Sequence, residues 1–193
     1  MYKSRLVLFF GPSGVGKSAL ISNLCLEFPN KYEYVKPYCT RDLRVGETDK
    51  VHISKRRFLE LVIEKKIINS TKLYGNLYGP SMDRIKIILN NKKFPLLDWP
   101  IKLVNKFDFV KPLKIYVLPP NLSILKNRLN KRDSSGMRYK QAVKEVGKIE
   151  RGIYVSKINI LFTNKGKIKS NAIKLNKLID LSIRRKYASR NKG

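Results

Sequence analysis

The chain has 193 residues, with 42 Lys plus Arg against 14 Asp plus Glu, a formal net charge of +28 and 42% hydrophobic residues. That length and apolar fraction support one ordinary domain with its own core, and no repeat or low-complexity linker divides the chain. Two cysteines, Cys25 and Cys39, exclude a disulfide framework and are expected as free buried thiols in a reducing cytoplasm.

The positive charge is dispersed: residues 126–193 carry a net +16 and the first 125 a net +12. Such a surface attracts phosphates, whether of nucleotides or of nucleic acids. The abundance of Lys, Ile and Asn is what an AT-rich coding sequence produces. We therefore assign the excess to composition and expect no nucleic-acid partner.

Leu6–Phe10 is a continuous apolar run that ends at Gly11, which predicts a short, fully buried strand. The run is far too short to span a bilayer and no signal-peptide cleavage pattern follows, so no membrane association is expected. Lys17–Glu27 is a helix with Ala19, Leu20, Leu24 and Phe28 as its apolar face, stopped by Pro29. Residues 37–53, polar and punctuated by Pro37 and Gly46, form a functional loop region. Ser54 caps a helix with Phe58, Leu61 and Val62 at helical spacing. Lys55, Arg56 and Arg57 occupy its first turn, where the helix dipole disfavours cations. Residues 67–79 are extended around a Gly75-Asn76 turn. Ser81–Asn90 is a helix and Phe94–Trp99 a buried strand. Ile115–Leu118 is another strand, stopped by Pro119-Pro120. Asn121 caps a helix carrying Leu122, Leu125 and Leu129 on one face. Residues 133–136 form a mobile loop, Arg138–Gly152 a polar helix, Ile158–Thr163 a last strand and Ala172–Arg184 a closing helix, followed by a basic tail. His52 is a strand surface residue. Strands alternating with helices predict an α/β fold with a mostly parallel sheet. Ligands in such sheets bind at the carboxyl ends of strands, where Gly11–Ser18 and Asp98 both fall.

Gly11-Pro12-Ser13-Gly14-Val15-Gly16-Lys17-Ser18 fits G-x-x-x-x-G-K-[ST]. Glycines let the backbone curl so that successive N–H groups face phosphate oxygens. Lys17 reaches the β- and γ-phosphates of ATP, Ser18 ligates Mg²⁺, and the helix that begins here aims its positive end at the anion. With Gly at about 7% of residues, the four fixed positions match by chance in roughly one such chain in a hundred. The flanking strand and helix make chance a poorer account still.

The chain is short for a motor and carries no N-K-x-D guanine-specificity motif. His52 is its only histidine, so the chemistry needs no imidazole base. An acceptor that is itself a phosphate fits, because a phosphate monoester with a second pKa near 6 is already an anionic nucleophile at neutral pH. The barrier is then mainly to hold two polyanions in line, which cations do. Arg41 and Arg44 share one loop, and Arg128 and Arg132 lie one helical turn apart on one face.

With these residues in view, the chain resembles the guanylate kinase superfamily over nearly its whole length. Gly11–Ser18 is that family's variant of the loop. Thr40-Arg41, Arg44 and Gly46-Glu47 resemble its acceptor loop, and Tyr74–Gly79 its x-G-N-Y-Y-G segment. Leu96-Leu97-Asp98 resembles its strand ending in L-D-x-D. Pro119-Pro120 followed by Arg128-Leu129 and Arg132 resembles P-P…R-L-x-x-R before a lid. The resemblance implies a P-loop kinase fold and a single domain over 1–193. Its core is 1–36 and 94–182, with an acceptor-binding insertion at 37–93, a lid at about 131–144 and a basic tail at 185–193. It implies that Arg41, Arg44 and Tyr78 grip the acceptor's phosphate, with Glu47, Asn69, Ser81 and Asp98 in the acceptor site. Lys17, Arg41, Arg132 and Lys144 are the catalytic cations, with Arg138 as an alternative to Lys144. Arg128 and Arg132 join the loop in binding ATP. Mg²⁺ arrives with the nucleotide, and the protein acts as a monomer in the cytoplasm.

Four departures concern base recognition. Guanylate kinases read guanine through a Ser, a Glu, a Ser or Thr and an Asp; those positions here are Pro37, Asn69, Pro80 and Pro100. A site lacking such groups discriminates weakly. Ribose 1,5-bisphosphate phosphokinases offer a second resemblance, through Tyr38-Cys39-Thr40-Arg41-Asp42 and a shortened segment after it. Three functions stay open: phosphorylation of GMP by ATP, phosphorylation of a sugar phosphate, and a guanylate kinase-like binding protein without catalysis. The intact Lys17 and Ser18 place the last behind the other two.

Overall fold

The structure, a computed structural model, describes residues 5–73, 75–131 and 135–188. In chain order the elements begin with β1 (Val7–Phe10), α1 (Lys17–Glu27), β2 (Tyr32–Tyr34), β3 (Tyr38–Cys39), β4 (Val51–His52) and α2 (Lys55–Ile63). A hairpin, β5 (Thr71–Leu73) and β6 (Asn76–Gly79), leads to α3 (Met82–Asn90) and β7 (Phe94–Asp98). A 3-10 segment, Ile101–Val110, precedes β8 (Leu113–Leu118), α4 (Leu122–Asn130), α5 (Met137–Glu150), β9 (Ile160–Thr163) and α6 (Ile168–Ala188).

Strand β1 is buried at every position, as a central parallel strand covered on both faces must be. Its alternation divides the core. Val7 and Phe9 pack with Leu20, Ile21 and Leu24 of α1 and with Leu175 of α6. Leu8 and Phe10 pack on the opposite face with Ile85 and Ile88 of α3 and with Trp99 and Phe107. The main sheet has the order β2-β7-β1-β8-β9, and every neighbouring pair is parallel. A second sheet, β4-β3-β6-β5, carries the acceptor-side segment. There β3 pairs parallel with β4 and antiparallel with β6, over a small core of Phe58, Leu61 and Ile67. This is the α/β architecture with a mostly parallel, helix-flanked sheet that the sequence predicts.

Several elements differ from the reading of the pattern. Residues 37–53 hold two short strands, β3 and β4, rather than loop alone. Two-residue strands carry no period; β3 is paired by β6 on one side and by β4 on the other. Strand β2 is only three residues long, and Tyr32 finds its register opposite Phe94, far along the chain; the 3-10 segment over 101–110 is also not predicted. Ala19 and Leu122 are exposed; the buried face of α1 is Leu20, Ile21 and Leu24, and that of α4 is Leu125 and Leu129. Helix α6 starts at Ile168, ahead of the expected Ala172. Cys25 is only part-buried while Cys39 is buried, and both are free thiols. Burial pushes the Cys25 thiol up to about 11, which keeps it protonated.

The expected caps are present. Ser54 Oγ accepts from Arg57 N at 3.1 Å, and Asn121 Oδ1 accepts from Ile124 N at 2.8 Å. The cations at the start of α2 also find an account. Arg56 and Arg57 each reach Glu60, at 3.1 and 3.0 Å, so intrahelical pairs offset their unfavourable place on the dipole. Replacing the Ser54 cap by Ala is expected to cost about 1 kcal/mol in urea unfolding while leaving Mg·ATP affinity unchanged.

Candidate active site

The chain leaves β1 through Gly11, whose φ of +132° and close neighbour allow no side chain. A Cβ there would lie 2.4 Å from the Val117 carbonyl oxygen of β8. The same holds at Gly16, φ +94°, where a Cβ would lie 2.5 Å from Asn164 Nδ2. Helix α1 starts at the next residue, so its unpaired first-turn amides open onto the loop. Lys17 Nζ donates to the carbonyls of Gly11 at 2.6 Å and Pro12 at 3.0 Å, and stands 3.8 Å from Asp98 Oδ1. Ser18 is exposed beside it. From the other side, Arg128 in the last turn of α4 donates to the Gly14 carbonyl at 3.3 Å. The helix dipole favours a cation there. These groups border a cavity of about 550 Å³ lined by Lys17, Ser18, Asp98, Arg128, Lys131 and Asn164, with Ser13 at its edge.

The acceptor-side loop is built from β3 outward. Thr40 ties it to the hairpin: its N–H donates to Leu77 O at 3.1 Å and its Oγ1 accepts from Leu77 N at 2.9 Å. The chain then turns between Arg44 and Glu47, where Glu47 N donates to Arg44 O at 2.9 Å. Inside this turn Arg41 donates to Glu47 Oε1 at 2.5 Å and, through Nε, to the Tyr78 hydroxyl at 3.1 Å. Lys50 Nζ donates to the same Glu47 oxygen at 3.1 Å and to Asp49 at 3.0 Å. Arg44 contributes its backbone N–H to Glu47 Oε2 and leaves its side chain exposed.

Asp98, at the end of β7, lies electrostatically between the two halves. Its burial raises the carboxyl above the ordinary range, while Lys17 on one side and Lys50 on the other lower it. The hydrogen bond from Arg41 holds Glu47 down at about 2, helped by Arg44 and Lys50 and opposed by burial. Burial lowers the Lys50 ammonium, but its bonds to Asp49 and Glu47 outweigh that, and the net shift is upward. Two cationic centres, Lys17 with Arg128 and Arg41 with Lys50, are thus pre-charged and separated by one carboxylate. Such an arrangement can hold two phosphate groups end to end.

Other residues named from the sequence make contacts of their own. Asn69 Nδ2 donates to Lys106 O at 2.7 Å, tying the base of the hairpin to the 3-10 segment. The Ser81 hydroxyl, buried, caps α3 by accepting from Arg84 N at 3.1 Å. Lys144 is exposed and lines a different cavity, of about 400 Å³, with Lys102, Lys148, Glu145 and Tyr154. Arg132 and Tyr74 lie outside the described residues, and the loop expected at 133–136 does so in part. The sequence reading did not assign Lys50, Lys131 or Asn164 to the site. Lys50 stands near the place of a phosphate-binding Tyr that the shortened loop lacks, and Lys131 is one of 42 basic residues, where little but contacts marks one Lys from another. Asn164 could have been suspected as a polar residue directly after an apolar strand.

Two titrations check these charges. Because Glu47 is held below its unfolded value, its ion pair stabilises the fold fully above the ordinary carboxylate range, and the contribution falls away progressively as pH drops from that range to about 2. Asp98 has the opposite sign: its raised value means that the ionised form costs stability at neutral pH, and the cost fades on acidification. Asp98→Asn is therefore expected to raise the thermal midpoint at pH 7, with the gain shrinking toward zero at low pH. A lower midpoint than wild type at pH 7 would contradict the assignment.

Comparison with known proteins agrees with this geometry. The guanylate kinase family model matches residues 3–177. A guanylate kinase of Clostridium tetani is 32% identical over 85% of this chain and 80% of its own length. One of Carboxydothermus hydrogenoformans is 32% identical over 68% of this chain and 67% of its own. The crystal structure of guanylate kinase from Anaplasma phagocytophilum superposes with a TM-score of 0.67 over 93% of this chain and 86% of that one, at 19% identity, a likeness of fold. With its phosphate loop, parallel sheet and acceptor-side sheet in place, the chain belongs to the guanylate kinase family.

Proposed function

We infer that the protein transfers the γ-phosphoryl group of ATP to the phosphate of GMP, giving ADP and GDP. The observation that carries this reading is the pair of cationic centres on either side of Asp98, one built on the phosphate loop and one on the acceptor loop. Each suits one polyanion, and neither needs a base, because the acceptor oxygen is already anionic at neutral pH.

On this reading Lys17 leaves the Gly11 and Pro12 carbonyls for the β- and γ-phosphates, while the loop amides and the start of α1 hold the rest. Arg128 and Lys131 close the far side of the cavity. Arg41, Lys50 and Tyr78 grip the acceptor phosphate, with Arg44 exposed at the rim. An acceptor oxygen bonds to the γ-phosphorus as the bond to the β,γ-bridging oxygen breaks, and ADP leaves with that electron pair. Residues 37–93 act as the acceptor-binding region and the segment near 131–144, with Arg132 and either Lys144 or Arg138, as the lid of a single monomeric domain. Mg²⁺ fits the donors present: Ser18 offers an exposed hydroxyl beside Lys17, and Asp98 a carboxylate at the same cavity, both hard oxygen donors. When bound with the nucleotide it would neutralise charge on the β- and γ-oxygens. Among the described residues no helix is long and apolar enough to cross a membrane, and the free thiols support a reducing compartment.

Base recognition is the thin part of the site. Pro37 and Pro80 are buried, Pro100 offers no side-chain hydrogen bond, and Asn69 commits its amide to Lys106. Selection of GMP then rests on backbone groups and shape, so discrimination against AMP is expected nearer ~10²-fold than ~10⁴-fold. A coupled assay with Mg·ATP and GMP, dGMP, AMP, UMP, dTMP and ribose 1,5-bisphosphate tests this. We expect GMP to be the fastest acceptor; turnover of the sugar bisphosphate with none of GMP would refute the reading. Lys17→Ala is expected to lower kcat by more than ~10²-fold. Arg41→Ala should cut kcat/KM for the acceptor by about 10²-fold with ATP affinity nearly unchanged; a defect confined to ATP would move Arg41 to the wrong substrate.

A further inference from the structure

Three polar side chains are buried among the described residues: Ser81, Asn164 and Asn171. Ser81 is accounted for as a helix cap. The two asparagines are not caps, and burying an amide is costly unless its groups are paired. Asn164 directly follows β9 and is 5% exposed; Asn171 stands in the first turn of α6 and is 2% exposed. Asn164 N–H donates to Leu118 O at 3.0 Å, which fixes it at the carboxyl end of β8. Its side-chain Nδ2 donates to the Val15 carbonyl of the phosphate loop at 2.8 Å. Asn171 Nδ2 in turn donates to Asn164 Oδ1 at 2.8 Å.

The directions in this chain are forced. A carbonyl only accepts, so Asn164 must present its NH₂ to Val15 and its oxygen to α6, and Asn171 must then present its own NH₂. The need for the chain is local. A loop that curls its N–H groups inward turns carbonyls outward, and Val15 is wholly buried, where water cannot serve its carbonyl. Gly16 completes the fit, since any Cβ there would strike Asn164 Nδ2. A hydrogen bond to one end of a peptide group also polarises the other end, and the other end of the Val15–Gly16 peptide is the Gly16 N–H.

We propose that Asn164 and Asn171 are positioning residues: a two-amide relay from α6 that holds the Val15–Gly16 peptide with its N–H turned toward the nucleotide's phosphates before the nucleotide arrives. The proposal rests on the nucleotide-binding reading of the loop. It makes α6, at the far end of the sequence, part of the ATP-binding machinery without touching ATP through Asn171, which does not line the cavity.

Calorimetry with Mg·ATP and steady-state kinetics on the full chain test the relay, using wild type, Asn164→Ala, Asn171→Leu and the double variant. Wild type is expected to bind Mg·ATP; if it does not, the nucleotide reading itself falls and the relay with it. Asn171→Leu is expected to bind Mg·ATP about tenfold more weakly, with the acceptor KM within about twofold of wild type. The double variant is expected to be no worse than Asn164→Ala, because a relay already cut at Asn164 has nothing to transmit. Asn171→Ala is the milder second variant and should show the same split. Wild-type Mg·ATP affinity in either Asn171 variant overturns the relay, whatever the thermal midpoint. So do additive losses in the double variant, which would mark two independent structural defects.

Discussion

A triphosphate is held best by backbone amides, and amides can converge on one point only where side chains do not intervene. That steric constraint governs the region around the phosphate loop. Gly11 must pass within touching distance of the Val117 carbonyl, so β1 and β8 are neighbours in the sheet and the loop rises directly between them. Gly16 must leave room for Asn164, so β9 ends beside the loop rather than beyond it. Leu125 and Leu129 of α4 close over Gly14, and this apolar contact brings Arg128 within reach of the Gly14 carbonyl. The parallel sheet, the approach of α4 and the position of α6 are the conditions under which a loop with so little bulk remains in one shape.

The charges follow a second rule. In a chain with three times as many cations as anions, carboxylates are scarce, yet Glu47, Asp49 and Asp98 are all spent on the cleft side of the molecule. Their partners are Arg41, Lys50 and Lys17. Each carboxylate keeps a cation in a defined place while phosphate is absent, and like-charged neighbours would otherwise splay apart. The positions of these three cations are thereby set within the fold itself.

How much of this the sequence discloses depends on whether a residue's role is local. The phosphate loop was fully legible because its chemistry is encoded in eight consecutive residues and confirmed by an apolar run before it. Helix α1 was placed to the residue because Pro29 and the loop bound it. That Arg41 and Tyr78 meet is suggested only by the family resemblance, since nothing local links positions 37 residues apart. Strands β2 and β3 escape the pattern because their hydrogen bonds lie with segments far along the chain, whereas β4 carries His52, exposed on a strand as the sequence predicts. Asn69 and Ser81, which the motif places in the acceptor site, make a loop tie and a helix cap, and Ser81 also borders a small cavity with Tyr38 and Val51. Composition could not rank the lysines.

That last point separates charge from function. Arg56 is 91% exposed at its side chain, and its pair with Glu60 serves only to offset its own place on the helix dipole. Lys17, Arg41 and Lys50 are 12%, 18% and 21% exposed, and each is fixed by two or more hydrogen bonds. A cation held in this way has already lost its rotamer freedom during folding, and does not lose it again when phosphate binds. An exposed lysine must still be immobilised, at a cost of about 0.5–1.5 kcal/mol for each such side chain. The net charge of +28 raises the general attraction for any anion. That attraction is general, whereas the places of Lys17, Arg41 and Lys50 are settled by the fold.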